Sequence, residues 1–124
     1  MAAFGSQTTT DEVLKGIDLT GKIAIVTGAS GGLGAETARA LASKGCSVTI
    51  AARDLSRAEA MAAEIAKDHG GAHILVNNAG ITCRSTRLHE MPVEDWNEVL
   101  AINLSGVFLC TRAMIPQMLD AGSG

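Results

Sequence analysis

The segment Ile23-Ala24-Ile25-Val26-Thr27-Gly28-Ala29-Ser30-Gly31-Gly32-Leu33-Gly34 decides how the rest of the chain is read. Its first four residues are aliphatic, three of them β-branched, and the run stops at Thr27-Gly28, which is the pattern of a short buried strand. From Gly32 to Lys44, Leu33, Ala38, Leu41 and Ala42 recur at helical spacing. Lys44 suits the negative end of that helix, and Gly45 is a natural stop. Between strand and helix lies Gly28-x-x-x-Gly32-x-Gly34, where glycine lets a sharply turned backbone come close to a ligand. Free amides and the positive end of the helix dipole converge there, so a pyrophosphate is stabilised without a lysine. A tight strand-to-helix turn also needs glycines for purely structural reasons, and the loop alone leaves both readings open. The loop is not followed by Gly-Lys-Ser/Thr, which argues against a P-loop nucleotidase.

Outward from this segment the alternation repeats. Val48 to Ala52 reads as strand two. Ser56 and Glu59 have capping-box spacing, and Ala58, Met61, Ala62 and Ile65 form the stripe of helix two, ended by Gly70-Gly71. His73 to Asn77 is strand three, and Asn78-Ala79-Gly80 leads into a polar loop reaching Met91. Pro92 fits the first position of a last helix running from Glu94 to Leu119, with bends expected near Gly106 and Pro116. Strand and helix alternating three times predicts an α/β domain with a parallel sheet. Residues 1–18 read as a flexible arm ahead of the domain at 19–124.

Composition narrows the function. Apolar residues make up 47% of the 124, yet Phe4, Trp96 and Phe108 are the only aromatics, so the core must be aliphatic. A net charge of −3 without any basic face gives no reason to expect nucleic acid or an anionic membrane. No unbroken apolar run approaches the ~18 residues of a membrane span. Cys46, Cys83 and Cys110 are odd in number and widely spaced, which fits a reducing cytoplasm and small packing or surface roles. His69, His73 and His89 lack metal-ligand spacing, so no metal is expected.

Three motifs in order, Thr27-Gly28-Ala29-Ser30-Gly31-Gly32-Leu33-Gly34, Asn77-Asn78-Ala79-Gly80 and Asn103 in a long helix, resemble the short-chain dehydrogenase/reductase family from about Leu19 to Gly124. The resemblance implies a Rossmann-like sheet and hydride transfer between a nicotinamide cofactor and a carbonyl or alcohol. It assigns pyrophosphate binding to Gly28, Ser30, Gly32, Leu33 and Gly34, and the lining of the cofactor cleft to Asn78, Ala79 and Gly80. Asn103 matches the helix asparagine that supports a water in the family's proton relay. Thr27 and Asn77 read as residues that tie loops together. At the end of strand two, Arg53 precedes Asp54, and a guanidinium there accommodates the extra phosphate of NADP, so NADP(H) is favoured over NAD(H). The other reading makes Arg53 a solvated loop charge and Asp54 a cap for helix two.

The chain departs from the pattern twice. The family's proton-donating tyrosine, with its lysine and serine, lies on segments that would follow Gly124, and this chain has no tyrosine at all. It is therefore expected not to turn over substrate alone. Between Arg53 and Asn77 the family fits two crossovers and a strand contacting adenine, where this chain has room for one helix. Right-handed crossovers, found in about 98% of cases, then predict strand order 2-1-3 with helices one and two on opposite faces. Strand three is left as an edge that something should cover. The apolar residues of 94–119 exceed one sheet-facing stripe, which suggests a homo-oligomer or pairing with a full-length relative. A non-enzymatic interaction protein using that helix is the alternative reading. A third is a remnant too poorly closed to fold stably.

Overall fold

The computed structural model describes residues 4–51 and 58–124. Three parallel strands, β1 (Ile23–Thr27), β2 (Ser47–Ala51) and β3 (Ile74–Val76), stand in the order β2-β1-β3. Helix α1 is a single turn at Thr10–Val13; α2 (Gly32–Ala42) joins β1 to β2, and α3 (Ala58–His69) leads to β3. After β3 comes a 3-10 turn at Leu88–Glu90, then α4 (Val93–Leu100), a π-helical stretch at Ala101–Ser105 and α5 (Gly106–Asp120).

Alternation along β1 explains the layers. Side chains two apart point to the same face, so Ile23 and Ile25 pack with Ala62 and Ile65 of α3 and Met114 of α5. Val26 faces the other way, onto Ala38 and Leu41 of α2. Thus α2 covers one face and α3 with α5 the other, as the handedness argument requires. β1 is buried along its whole length because both faces and both edges are covered, Ile25 pairing with Thr49 on one side and Leu75 on the other. Among the described residues β3 pairs with β1 alone.

Three local readings need adjustment, and one gains detail: within the arm at residues 1–18, Thr9 and Glu12 cap each other reciprocally to form α1, and Arg39 on α2 bonds Asp11 at 3.1 Å. Pro92 precedes α4 in extended conformation, not inside it. The irregularity expected at Gly106 falls one turn earlier, in the π-helical stretch, and α5 runs through Pro116 without a break. Arg112, whose carbonyl the proline leaves unpaired, is exposed, so water can serve that group. Finally, the helix from Val93 to Asp120 spans 28 residues with a mean hydropathy of 1.6 over its best window, long and apolar enough to cross a membrane. A test on unbroken apolar runs passes over it because Asn103, Ser105 and Gly106 interrupt the pattern.

Only Gly106, Cys110 and Met114 of α5 are buried, a stripe of spacing four against the sheet. Leu104, Phe108, Ile115 and Leu119 are exposed. Burial pushes the Cys46 and Cys110 thiols up, and all three cysteines are unpaired.

Candidate functional site

Parallel strands deliver their loops to one end of the sheet, so the turn after β1 and the segment after β3 meet there. Thr27, buried at the end of β1, joins them: its hydroxyl oxygen accepts from the amides of Asn78 at 3.1 Å and Ala79 at 3.0 Å. Asn78 answers in the opposite direction. Its side-chain amide donates to the carbonyls of Thr27 at 3.0 Å and Gly28 at 3.2 Å. Asn77 donates to Thr111 on α5 at 3.1 Å. Thr27 and Asn77 therefore tie elements together, as their positions suggested.

This packing explains two of the three glycines. Gly28 has φ +66°, and a β-carbon on it would meet Ala79 Cα at 2.7 Å. A β-carbon on Gly34 would collide with the side-chain amide of Asn78 and lie 2.7 Å from the Gly28 carbonyl oxygen. A β-carbon on Gly32, which has φ +57°, meets nothing among the described residues, and the backbone angle is what calls for glycine there.

A cleft of about 420 Å³ opens beside this junction, lined by Gly28, Ser30, Leu33, Gly34, Asn78, Ala79 and Gly80, with Gly31, Ile81 and Ile102 completing it. Seven of the residues singled out from the sequence are thus brought together. Gly32 and Asn103 do not line the cleft. Arg53 lies outside the described residues, as does Asp54. The start of α2 faces this space with no side-chain cap and no acidic residue in its first turn, which leaves its amides and dipole available to an anion.

Asn103 sits in the π-helical stretch, a kind of irregularity frequent at functional sites. Its amide needs a polar partner and finds it in the backbone of Ile81: Oδ1 accepts from the Ile81 amide and Nδ2 donates to its carbonyl, both at 2.9 Å. Asn103 so holds the segment that carries the far wall of the cleft. Ile81 and Ile102 escaped the sequence reading, although each directly adjoins a motif residue. No group of three or more His, Cys, Asp or Glu side chains suited to a metal occurs among the described residues.

A family model described as short chain dehydrogenase matches residues 22–71 and 56–124. The chain belongs to the short chain dehydrogenase family. It is 40% identical to a 3-oxoacyl-[acyl-carrier-protein] reductase of Synechocystis over 86% of this chain and 54% of the relative. It is 37% identical to a D-threitol dehydrogenase of Mycolicibacterium smegmatis over 86% and 51%. A short chain dehydrogenase structure from Pseudomonas syringae superposes with a TM-score of 0.76 at 29% identity, over 81% of this chain and 54% of that one. The chain spans about half the length of the curated relatives it matches. The alignment to the Synechocystis relative is 134 positions long, more than the 124 residues present, so that reductase carries residues that this chain lacks inside the matched stretch.

Proposed function

We propose that this chain is the dinucleotide-binding portion of an NAD(P)-dependent oxidoreductase. The observation that carries the reading is the cleft itself: an uncapped helix start and a glycine turn on one side, the Asn78–Gly80 segment on the other, in a member of a dehydrogenase family. The residues fit the group. The amides around Gly28, Ser30, Gly32, Leu33 and Gly34 would hold the pyrophosphate, and Asn78, Ala79 and Gly80 would line its path. Arg53 would pair with the additional phosphate of NADP through its planar fork, which favours NADP(H) over NAD(H). A bound nicotinamide supplies or accepts the hydride for a carbonyl or alcohol. Asn103 positions Ile81, and supporting a water of a proton relay belongs to the same proposal. This sequence contains no tyrosine. A positioned general acid contributes about 10²–10⁴ in rate, so the chain alone is proposed to bind cofactor without turnover.

The test is titration of the purified chain with NADPH and with NADH, followed by nicotinamide fluorescence. NADPH binds more tightly, with an affinity that falls with added salt and in Arg53→Ala. Tighter NADH binding overturns the cofactor preference, and no association at millimolar concentration overturns the reading.

A second reading rests on a different observation, the exposed apolar face of α5 with its groove beside Leu104, Val107, Phe108 and Ile115. Such a face fits pairing with a second copy or with a full-length relative. Sedimentation at micromolar concentration gives a mass above the monomer, reduced by Phe108→Asp; a monomeric mass counts against it.

A further inference from the structure

The start of α2 is a weak place to begin a helix. Gly31 precedes it without a side-chain cap, and Gly32 and Gly34 stand in its first turn. Glycine costs roughly 0.8–1 kcal/mol relative to alanine inside a helix, so this turn depends on tertiary support. On the inner side, support comes from the close approach of Gly34 to Asn78 and Gly28.

On the outer side it comes from the N-terminal segment. Arg39 lays its guanidinium across Glu36 through two bonds, Nε at 2.8 Å and Nη2 at 2.7 Å. The same Nη2 reaches the Thr10 hydroxyl at 3.2 Å and Asp11 Oδ1 at 3.1 Å, and the Thr10 hydroxyl donates to Glu36 at 2.5 Å. The segment is fastened again where the amide of Leu19 donates to the carbonyl of Lys44 at 2.8 Å. It therefore runs along α2 with one anchor at Lys44, past the C-terminal end of that helix, and the other on Glu36, one turn from the phosphate-facing start, and on Arg39 in the last turn.

We propose that residues 5–20 are a brace for the anion-binding start of α2, with Arg39 as the positioning residue that clasps Thr10 and Asp11 to Glu36. The hydrogen-bond partners of Arg39 among the described residues, Thr10, Asp11 and Glu36, do not line the cleft, so it acts through the helix. A network centred on a planar, two-bonded guanidinium holds geometry better than an isolated surface pair, although each exposed contact is individually small. This inference rests on the dinucleotide reading only for its consequence, not for the brace itself.

The test measures hydrogen exchange at the amides of residues 35–38, where intrahelical bonding of the start of α2 begins with the Ala35 amide on the Gly31 carbonyl, for the full chain, for Arg39→Gln and for Asp11→Asn. Both changes lie on exposed side chains, and exchange in β1 serves as the check that the core is intact. The expected result is a threefold to tenfold rise in exchange at the start of α2, roughly the scale of an exposed ion-pair network, with β1 unchanged. Arg39→Lys, which keeps the charge and loses the fork, recovers only part. NADPH affinity falls about threefold in the same variants. Unchanged exchange at the start of α2 overturns the brace, and so does an equal rise in β1. Raised exchange in a protein whose parent never binds NADPH leaves the brace standing and removes the cofactor reading instead.

Discussion

The side-chain amide of Asn78 occupies the space that a β-carbon on Gly34 would need, and it donates from there to the carbonyls of Thr27 and Gly28. The glycine of the first crossover and the asparagine after the third strand are therefore one packing unit. Gly34→Ala must displace that amide. Overpacking of this kind costs typically 1–3 kcal/mol, about 4–12 °C in Tm for a domain of this size, readable by calorimetry.

Gly31 gives the contrasting case. Its backbone is extended and a β-carbon on it meets nothing among the described residues, yet it lines the cleft. Gly31→Val is expected to leave Tm within about 2 °C, as surface substitutions generally do, while weakening NADPH binding by filling the cleft. A Tm loss as large as that of Gly34→Ala would refute the division of labour between these glycines.

Thr27 offers one hydroxyl to two amides in a buried position. Thr27→Val keeps the shape, leaves the amide of Ala79 without its acceptor and leaves that of Asn78 with the Val76 carbonyl alone. A loss of about 1–3 kcal/mol is expected in denaturant unfolding, with Thr27→Ser, which retains the oxygen, losing less.

Asn103 can be probed without any ligand. Asn103→Ala removes both bonds to Ile81, and about 1 kcal/mol per bond predicts at least fivefold faster exchange of the Ile81 amide. Asn103→Asp keeps the acceptor but sets a carboxylate against the Ile81 carbonyl, so its exchange rate should fall between the two.

Glu36 sets a pH dependence. Its hydrogen bond from Arg39, then that from Thr10, and the charge of Arg39 hold its carboxyl at about 2, below the ordinary 4.5. A carboxyl lowered in the folded state contributes fully above its ordinary value and loses that contribution as pH falls toward the lowered one. Contact of α1 with α2, followed by chemical shifts of Thr10 and Asp11, should persist at pH 5 and disappear between pH 4.5 and 2. Loss already at pH 6 would contradict the role given to Glu36.

Much of this fold is legible in the residues because its signals are local. The aliphatic run at Ile23–Val26, the helical spacing from Gly32 to Ala42 and the glycine stops needed no partner to be recognised. Strand order followed from handedness once the two crossovers were counted. The Thr9–Glu12 capping box is marked by its spacing, but no apolar run follows it to signal a helix. The π-helical stretch was not readable, since one residue of added register leaves the apolar pattern of 94–119 almost unchanged.

The order of strands and helices, the aliphatic core and the glycine turn at the carboxyl end of β1 were determined by sequence alone, because periodicity and backbone freedom act over a few neighbouring residues. The reasons for Gly28 and Gly34, the partner of Asn103 and the clasp of Arg39 on the N-terminal segment were decided only in the tertiary structure. Those contacts join residues 22 to 51 positions apart, and such pairings exist only after the crossovers have brought distant strands and loops to the same end of the sheet or helix.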